Sequence, residues 1–307
     1  MTVTGGKKTQ KHSDRSWLKT ENLRLFSGLV LMLFLTMHLL NHSLGLISLE
    51  AMEAGRLVFV GLWRSPPGTI LLILAMAVHI ALTSAKLLAL RSFRRIPPKE
   101  IVQIIMGLAI PPLLIGHIVG TRVAHEAFGI TDNYTYVLFF VWIVTPIEAL
   151  LQSVGLIVAW VHGCLGLHFW LRLKPWYEKQ YPFLYSAALI LPILALTGFL
   201  VGATEIEFLA RDAAWRTHLI QSLNVTQEDS QWIYQVRDYG HYGMIAALAV
   251  LLLSRLFWFI HFRKERLVTV QYPEGKTVSA PPGTTVLDIS KQGGIPHASV
   301  CGGRGRC

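Results

Sequence analysis

The sequence predicts an all-α membrane protein: a six-transmembrane-helix bundle followed by a short α+β segment. Three observations carry that expectation. Of 307 residues, 52% are apolar and only 15% are charged, against about 25% charged in an ordinary soluble domain. Six runs reach the ~20 mostly apolar residues that a spanning helix needs. After Arg266 the text changes to alternating apolar and polar residues, punctuated by "PEG" and "PPG".

Taken in order, residues 1–21 ("MTVTGGKKTQKHSDRSW" and its continuation) are polar and basic. They lack the apolar core and cleavage site of a signal peptide, so they read as a cytoplasmic tail. The spans follow at 22–47, 68–90, 100–123, 145–171, 183–203 and 241–262, within an anchor domain of 22–265. The tail, "LRSFRRIPPKE", "LRLKPWYEKQ" and "HFRKERL" are basic and fall on one side of the membrane. The positive-inside rule makes that side the cytoplasm, with both termini there and membrane lipid as the first partner. The net charge of +10 therefore belongs to loops. No aromatic-plus-basic cluster suits a nucleic acid, which is excluded as a partner. Outside, "FLARDAAWRTHLIQSL" has helical spacing and reads as a helix on the membrane surface. The Asn-X-Thr triplets at Asn133 and Asn224 read as chance matches. Residues 266–307 then read as a β-hairpin, "RLVTVQY" with "KTVSAPP", and a short helix, "TVLDISKQGG". This is the start of a small cytoplasmic domain, too short to complete a core by itself.

Histidine placement suggests chemistry. An imidazole in hydrocarbon is expensive without a partner. For any single one, a bond to a carbonyl or a neighbouring helix is as good an explanation as a functional role. Four consecutive spans each carry one: His38, His79, His117 and His162. At about 1.5 Å rise per residue, counting from the flanking boundaries puts His38 and His117 roughly 22 and 27 Å from the inner face. His79 and His162 come at roughly 18 and 15 Å. The four form an outer pair and an inner pair, separated by on the order of 8 Å of depth. Paired imidazoles from facing helices hold a b-type haem at both axial positions. "GHIVG" and "HGCLGLH" supply small residues that let a porphyrin approach. Arg122, one turn beyond His117, is placed to meet haem propionates. His42 is an alternative outer ligand. His12, His125, His168, His218, His241, His261 and His297 read as structural. Glu50, Glu53, Glu126 and Glu148 lie toward the outer side, where they serve a quinone or ordinary interfacial contacts.

"FLTMHLLNHS", "IGHIVGTRVAHEAFG" and "VGLIVAWVHGCLGLHFW" resemble segments of the dihaem cytochrome b anchor of succinate:quinone oxidoreductases. The resemblance covers roughly 22–203. It implies that the first and third helices supply one axial pair and the second and fourth the other, with two b haems and a membrane quinone as a possible partner. That family usually has five spans; here a sixth leads into the soluble segment.

The chain closes on "VCGGRGRC", where Cys301 and Cys307 are separated by five residues. The loop resembles that of a [2Fe–2S] ferredoxin with adrenodoxin-like spacing. A cluster takes four cysteine thiolates, so Cys301 and Cys307 are partial ligands and the cluster is expected only in a longer chain. A two-cysteine zinc site or free thiols are the alternatives. Cys164 reads as a small core residue. The whole order resembles the N-terminal part of bacterial class III adenylate cyclases that carry such an anchor and a ferredoxin domain. That implies a redox or ligand sensor regulating a downstream cyclase, as a homodimer. No cyclase aspartates or purine-selecting residues occur here, so no catalytic residue is assigned. The competing readings are a cytochrome b subunit passing electrons between quinone and an iron–sulfur partner, and an anchor with structural histidines.

Overall fold

The computed structural model describes residues 20–90, 96–223, 225–262, 267–273, 275–280 and 284–296. Its helices are α1 (Thr20–Ser43), α2 (Leu49–Trp63), α3 (Pro66–Ala89), α4 (Pro98–Ile118), α5 (Ala124–Phe128), α6 (Tyr134–Leu138), α7 (Pro146–Leu171), α8 (Tyr177–Leu209), α9 (Ala213–Ser222) and α10 (Gln227–Phe262). A hairpin of β1 (Val268–Gln271) and β2 (Thr277–Ala280) precedes α11 (Val286–Gly293). Six helices are long and apolar enough to cross a membrane: α1, α3, α4 with the turns after it, α7, α8 and α10. Leu and Ile side chains such as Ile73, Ile105, Leu150, Ile193 and Leu253 are exposed on their outer faces. A soluble protein avoids so large an apolar surface, whereas lipid tails accept it.

Helix ends follow local chemistry. Ser65 precedes Pro66 and Pro67, and its hydroxyl accepts from the Gly68 amide at 3.2 Å, a cap with proline in the first turn. Thr226 and Asp229 close a reciprocal capping box at the start of α10 (2.9 and 3.1 Å). That box starts the sixth helix at Gln227, where the sequence had placed a polar loop up to His241. The fifth likewise runs over Tyr177–Leu209 rather than 183–203. Apolar length marks only the part of a helix that lies in lipid; the polar turns beyond it remain helical because their backbone groups still pair. The expected surface helix is divided: Phe208 and Leu209 end α8, and α9 begins after Asp212, whose side chain caps Ala214 at 2.8 Å.

The four helices α1, α3, α4 and α7 surround a central cavity; α8 lies beside α1, and α10 packs on α4. The end bearing the hairpin is called the near end and the opposite one the far end. The far end holds the densest core, where Met52, Tyr134, Leu138, Phe139, Phe199 and Ile206 join α2, α6 and α8. Gly45 and Gly198 let the turn after α1 press directly onto the α8 backbone, a small-residue contact suited to lipid. Asn133 caps α6, accepting from the Tyr136 amide at 2.8 Å. At the near end, Val268 pairs with Ala280 and Gln271 with Thr277 in antiparallel register. Tyr272 and Ser290 hydroxyls meet at 2.7 Å, fastening α11 to the hairpin. Cys301, Cys307 and His297 lie outside the described residues.

Candidate functional site

The four membrane histidines meet in two pairs. His38 of α1 and His117 of α4 have ring centres 5.7 Å apart. His79 of α3 and His162 of α7 are 6.4 Å apart. Metal–imidazole bonds of about 2 Å on opposite sides of one ion put two ring centres roughly 6 Å apart. All four rings line one cavity of about 1860 Å³. Ligand pockets usually measure about 300–1,000 Å³, so this one has room for two large groups. Among the described residues no three His, Cys, Asp or Glu side chains gather as a metal cage. Two facing imidazoles suit an iron whose other four ligands come from a porphyrin.

Each near-pair ring is fixed by its neighbour helix. The His79 Nδ1 faces the Arg24 carbonyl at 3.3 Å and the Ser27 hydroxyl at 3.4 Å. The His162 Nδ1 faces the Gln103 carbonyl at 3.0 Å. A carbonyl can only accept, so Nδ1 carries the proton and Nε2 is left as the lone-pair nitrogen that binds metal. His117 is held similarly, with Nδ1 3.4 Å from Gln152 Oε1.

Glycines make room for the rings. A Cβ on Gly28 would come 3.2 Å from His79 Cε1, and one on Gly107 would come 2.8 Å from His162 Cε1. The construction is duplicated. On α1 the carbonyl, glycine and histidine are residues 24, 28 and 38; on α4 they are 103, 107 and 117. α1 receives the ring from α3, and α4 receives the ring from α7, with the same spacings. Sequence reading missed this repeat because the glycines lie ten residues from the histidines on their own helices and matter only to rings on others.

The depth estimate needs correction. Gly28 marks the level of the near pair on α1, and His38 lies ten residues on, about 15 Å along the axis. The sequence count gave roughly 8 Å. It counted from Leu23 and Lys99 for His38 and His117 and from Arg91 and Arg172 for His79 and His162, whereas α1 begins three residues before Leu23 and α3 stops two before Arg91; these offsets add.

Arg122 sits in a wide π turn, Val119–Val123, and lines the same cavity as His117. In a regular α-helix a residue five positions on points about 140° away. The extra residue of the π turn returns Arg122 to the histidine's face. It pairs with Glu126 at 3.0 Å. Two further cations at the far end escaped sequence reading: Arg64 makes a bidentate pair with Asp132, and Arg56 lies 3.8 Å from it. Asp132 comes from a loop that only the fold brings to α2.

His42 packs 4.5 Å from His38 and stacks on Phe199. His168 and His125 are bonded within the protein, to Tyr177 Oη and the Ile130 carbonyl, both at 2.8 Å. Glu53 pairs with Arg56 and accepts from the Tyr134 amide. Glu50 opens α2, where its own amide and the Ser48 hydroxyl hold its carboxyl below the usual range. Cys164 packs beside Leu39 and Trp160. No protein-family model matches the chain, and neither a curated protein nor a solved structure does.

Proposed function

We propose that the chain is a dihaem b membrane module that senses redox state or a ligand and passes it through α10 to the hairpin domain. The observation that carries this reading is the two facing imidazole pairs that open into one cavity: both near rings are seated against a glycine and tied through Nδ1 to a carbonyl, and His117 of the far pair is tied through Nδ1 to Gln152. His38 and His117 hold the far haem; His79 and His162 hold the near one. Haem bound in this way supplies one-electron oxidation and reduction. The Arg24 and Gln103 carbonyls orient the near rings, and Gln152 orients His117. Arg122 lies where it can meet a propionate. The sequence resemblance extends the proposal to regulation of an adenylate cyclase domain through a ferredoxin domain, in a homodimer of a bacterial plasma membrane protein with both termini cytoplasmic.

A second reading is electron transfer between a membrane quinone and an iron–sulfur partner. A cavity of about 160 Å³ beside His117, lined by Glu148, Arg237, Tyr136 and Tyr234, favours it. A cavity of ~150 Å³ accepts a single aromatic ring. Fast haem reduction by an added quinol supports this second reading.

The test of both is the visible spectrum and haem content of the purified chain. The expected result is a sharp reduced α-band and two haems per chain. Replacing His79 or His162 with Ala removes one haem, and replacing His38 or His117 removes the other. Haem loss from neither site in any variant, or from both in every variant, would refute the pairing.

A further inference from the structure

The helix that leaves the membrane toward the hairpin touches the turns that carry the far pair. α10 packs on α4 so closely that a Cβ on Gly240 would come 2.6 Å from Ile115 Cγ1, two residues before His117. Three residues before Gly240, Arg237 reaches Glu148 of α7 at 3.6 Å. The Glu148 carboxylate fills the notch left by Gly116, where a Cβ would lie 2.6 Å from Oε2. Gly116 is the residue preceding His117. One turn beyond Glu148 on α7, Gln152 faces the His117 Nδ1. Side-chain exposure is 14% for Glu148 and 24% for Arg237, so water screens their charges weakly and the interaction is stronger than at an open surface. Arg237 has two other acceptors of its charge, Asp238 at 2.9 Å and the ring face of Tyr234 at 5.0 Å. It can exchange between the α7 carboxylate and groups on its own helix without being left unpaired.

We propose that Glu148 and Arg237 are positioning residues for His117 that couple the redox equilibrium of the far haem to the seating of α10. This rests on the dihaem reading and adds the residues through which the sixth helix takes part. A negative charge beside the His117 backbone favours the oxidised, more positive iron; a paired Arg237 offsets it. By linkage, reduction at the far site strengthens the hold of Glu148 on Arg237 to the same degree that the pair favours the reduction, and oxidation loosens it. α10 runs unbroken from Gln227 to Phe262, about 54 Å, so a change in its seating at Arg237 is carried along the helix to the near end.

The experiment is a potentiometric titration of the whole haem-loaded chain in lipid nanodiscs, read by absorbance and by EPR of the ferric sites. His117→Ala identifies the far-site signal. Glu148→Gln is expected to raise the far potential and Arg237→Gln to lower it. Each shift should be at least threefold in the reduction equilibrium, roughly 28 mV at 59 mV per decade, with the near site unchanged. Arg237→Lys keeps the charge and should restore most of the loss. Gly240→Val, which pushes α10 off Ile115, should shift the far potential in the same direction as Arg237→Gln. If Glu148→Gln fails to accumulate, the Arg237 and Gly240 variants decide the question. Bound haems whose far potential ignores these substitutions, or whose two potentials move together, overturn the proposal and leave the dihaem reading standing. A parent chain that binds no haem overturns both.

Discussion

Gly107→Ala tests the near site at a single atom. The new Cβ would stand 2.8 Å from His162 Cε1 and 3.3 Å from Nδ1, where carbon contacts are comfortable at about 3.5–4.0 Å. The ring cannot withdraw freely, because its Nδ1 is held 3.0 Å from the Gln103 carbonyl on the same helix. Overpacking of this kind costs about 1–3 kcal/mol. Alanine also favours a helix over glycine by about 1 kcal/mol, so global stability changes little and the strain falls on the site. At about 1.4 kcal/mol per tenfold, near-site haem affinity should drop roughly 5- to 150-fold. Gly28→Ala, facing His79 at 3.2 Å, should do the same more mildly. Gly61→Ala, with nothing within 4 Å, is the control. The assay is haem content by pyridine haemochrome, with EPR to separate the two ferric signals. Two full haems and unaltered spectra in both Gly107→Ala and Gly28→Ala would refute the cradle.

Gln152→Leu removes the acceptor at His117 Nδ1; the far haem should be held 10- to 100-fold less tightly, measured by haem transfer to apomyoglobin, with the near haem retained. Asp132→Asn leaves Arg64 and Arg56 without their shared carboxylate in a site where Asp132 is 6% exposed. Breaking a buried pair costs about 3–5 kcal/mol, and the part-exposed arginines place this case at the low end, so a clear fall in melting temperature in detergent is expected. Thr226→Ala opens the α10 capping box and should cost ~1 kcal/mol. Hydrogen exchange should show it as faster exchange confined to the first turns of α10.

Six spans were legible because a lipid-facing helix must be apolar over its full crossing, and that constraint is written residue by residue. Four histidines, one in each of four consecutive spans, were legible for the same reason: a polar ring in an apolar run stands out. Depth counting even sorted them into the pairs that meet at 5.7 and 6.4 Å. The hairpin was equally local, since two alternating strands and a turn specify one another. α2 and α6, the polar start of α10 and the true spacing of the two levels were not legible. Their helices are short or polar and are stabilised by contacts such as Met52 with Phe199, or by capping, rather than by apolar length.

What surrounds the rings belongs to the tertiary structure alone. Gly28 and Gly107 look like ordinary helical glycines until α3 and α7 lay imidazoles against them. Asp132 is a loop carboxylate until α2 brings Arg64 and Arg56 to it. Arg237 is one more charge near a helix start until α10 docks on α4. The sequence by itself determined which groups enter the membrane, because the cost of burial is paid by each residue separately. Which groups face one another depends on how helices pack, and helix packing is set by small residues and shapes distributed over the whole bundle.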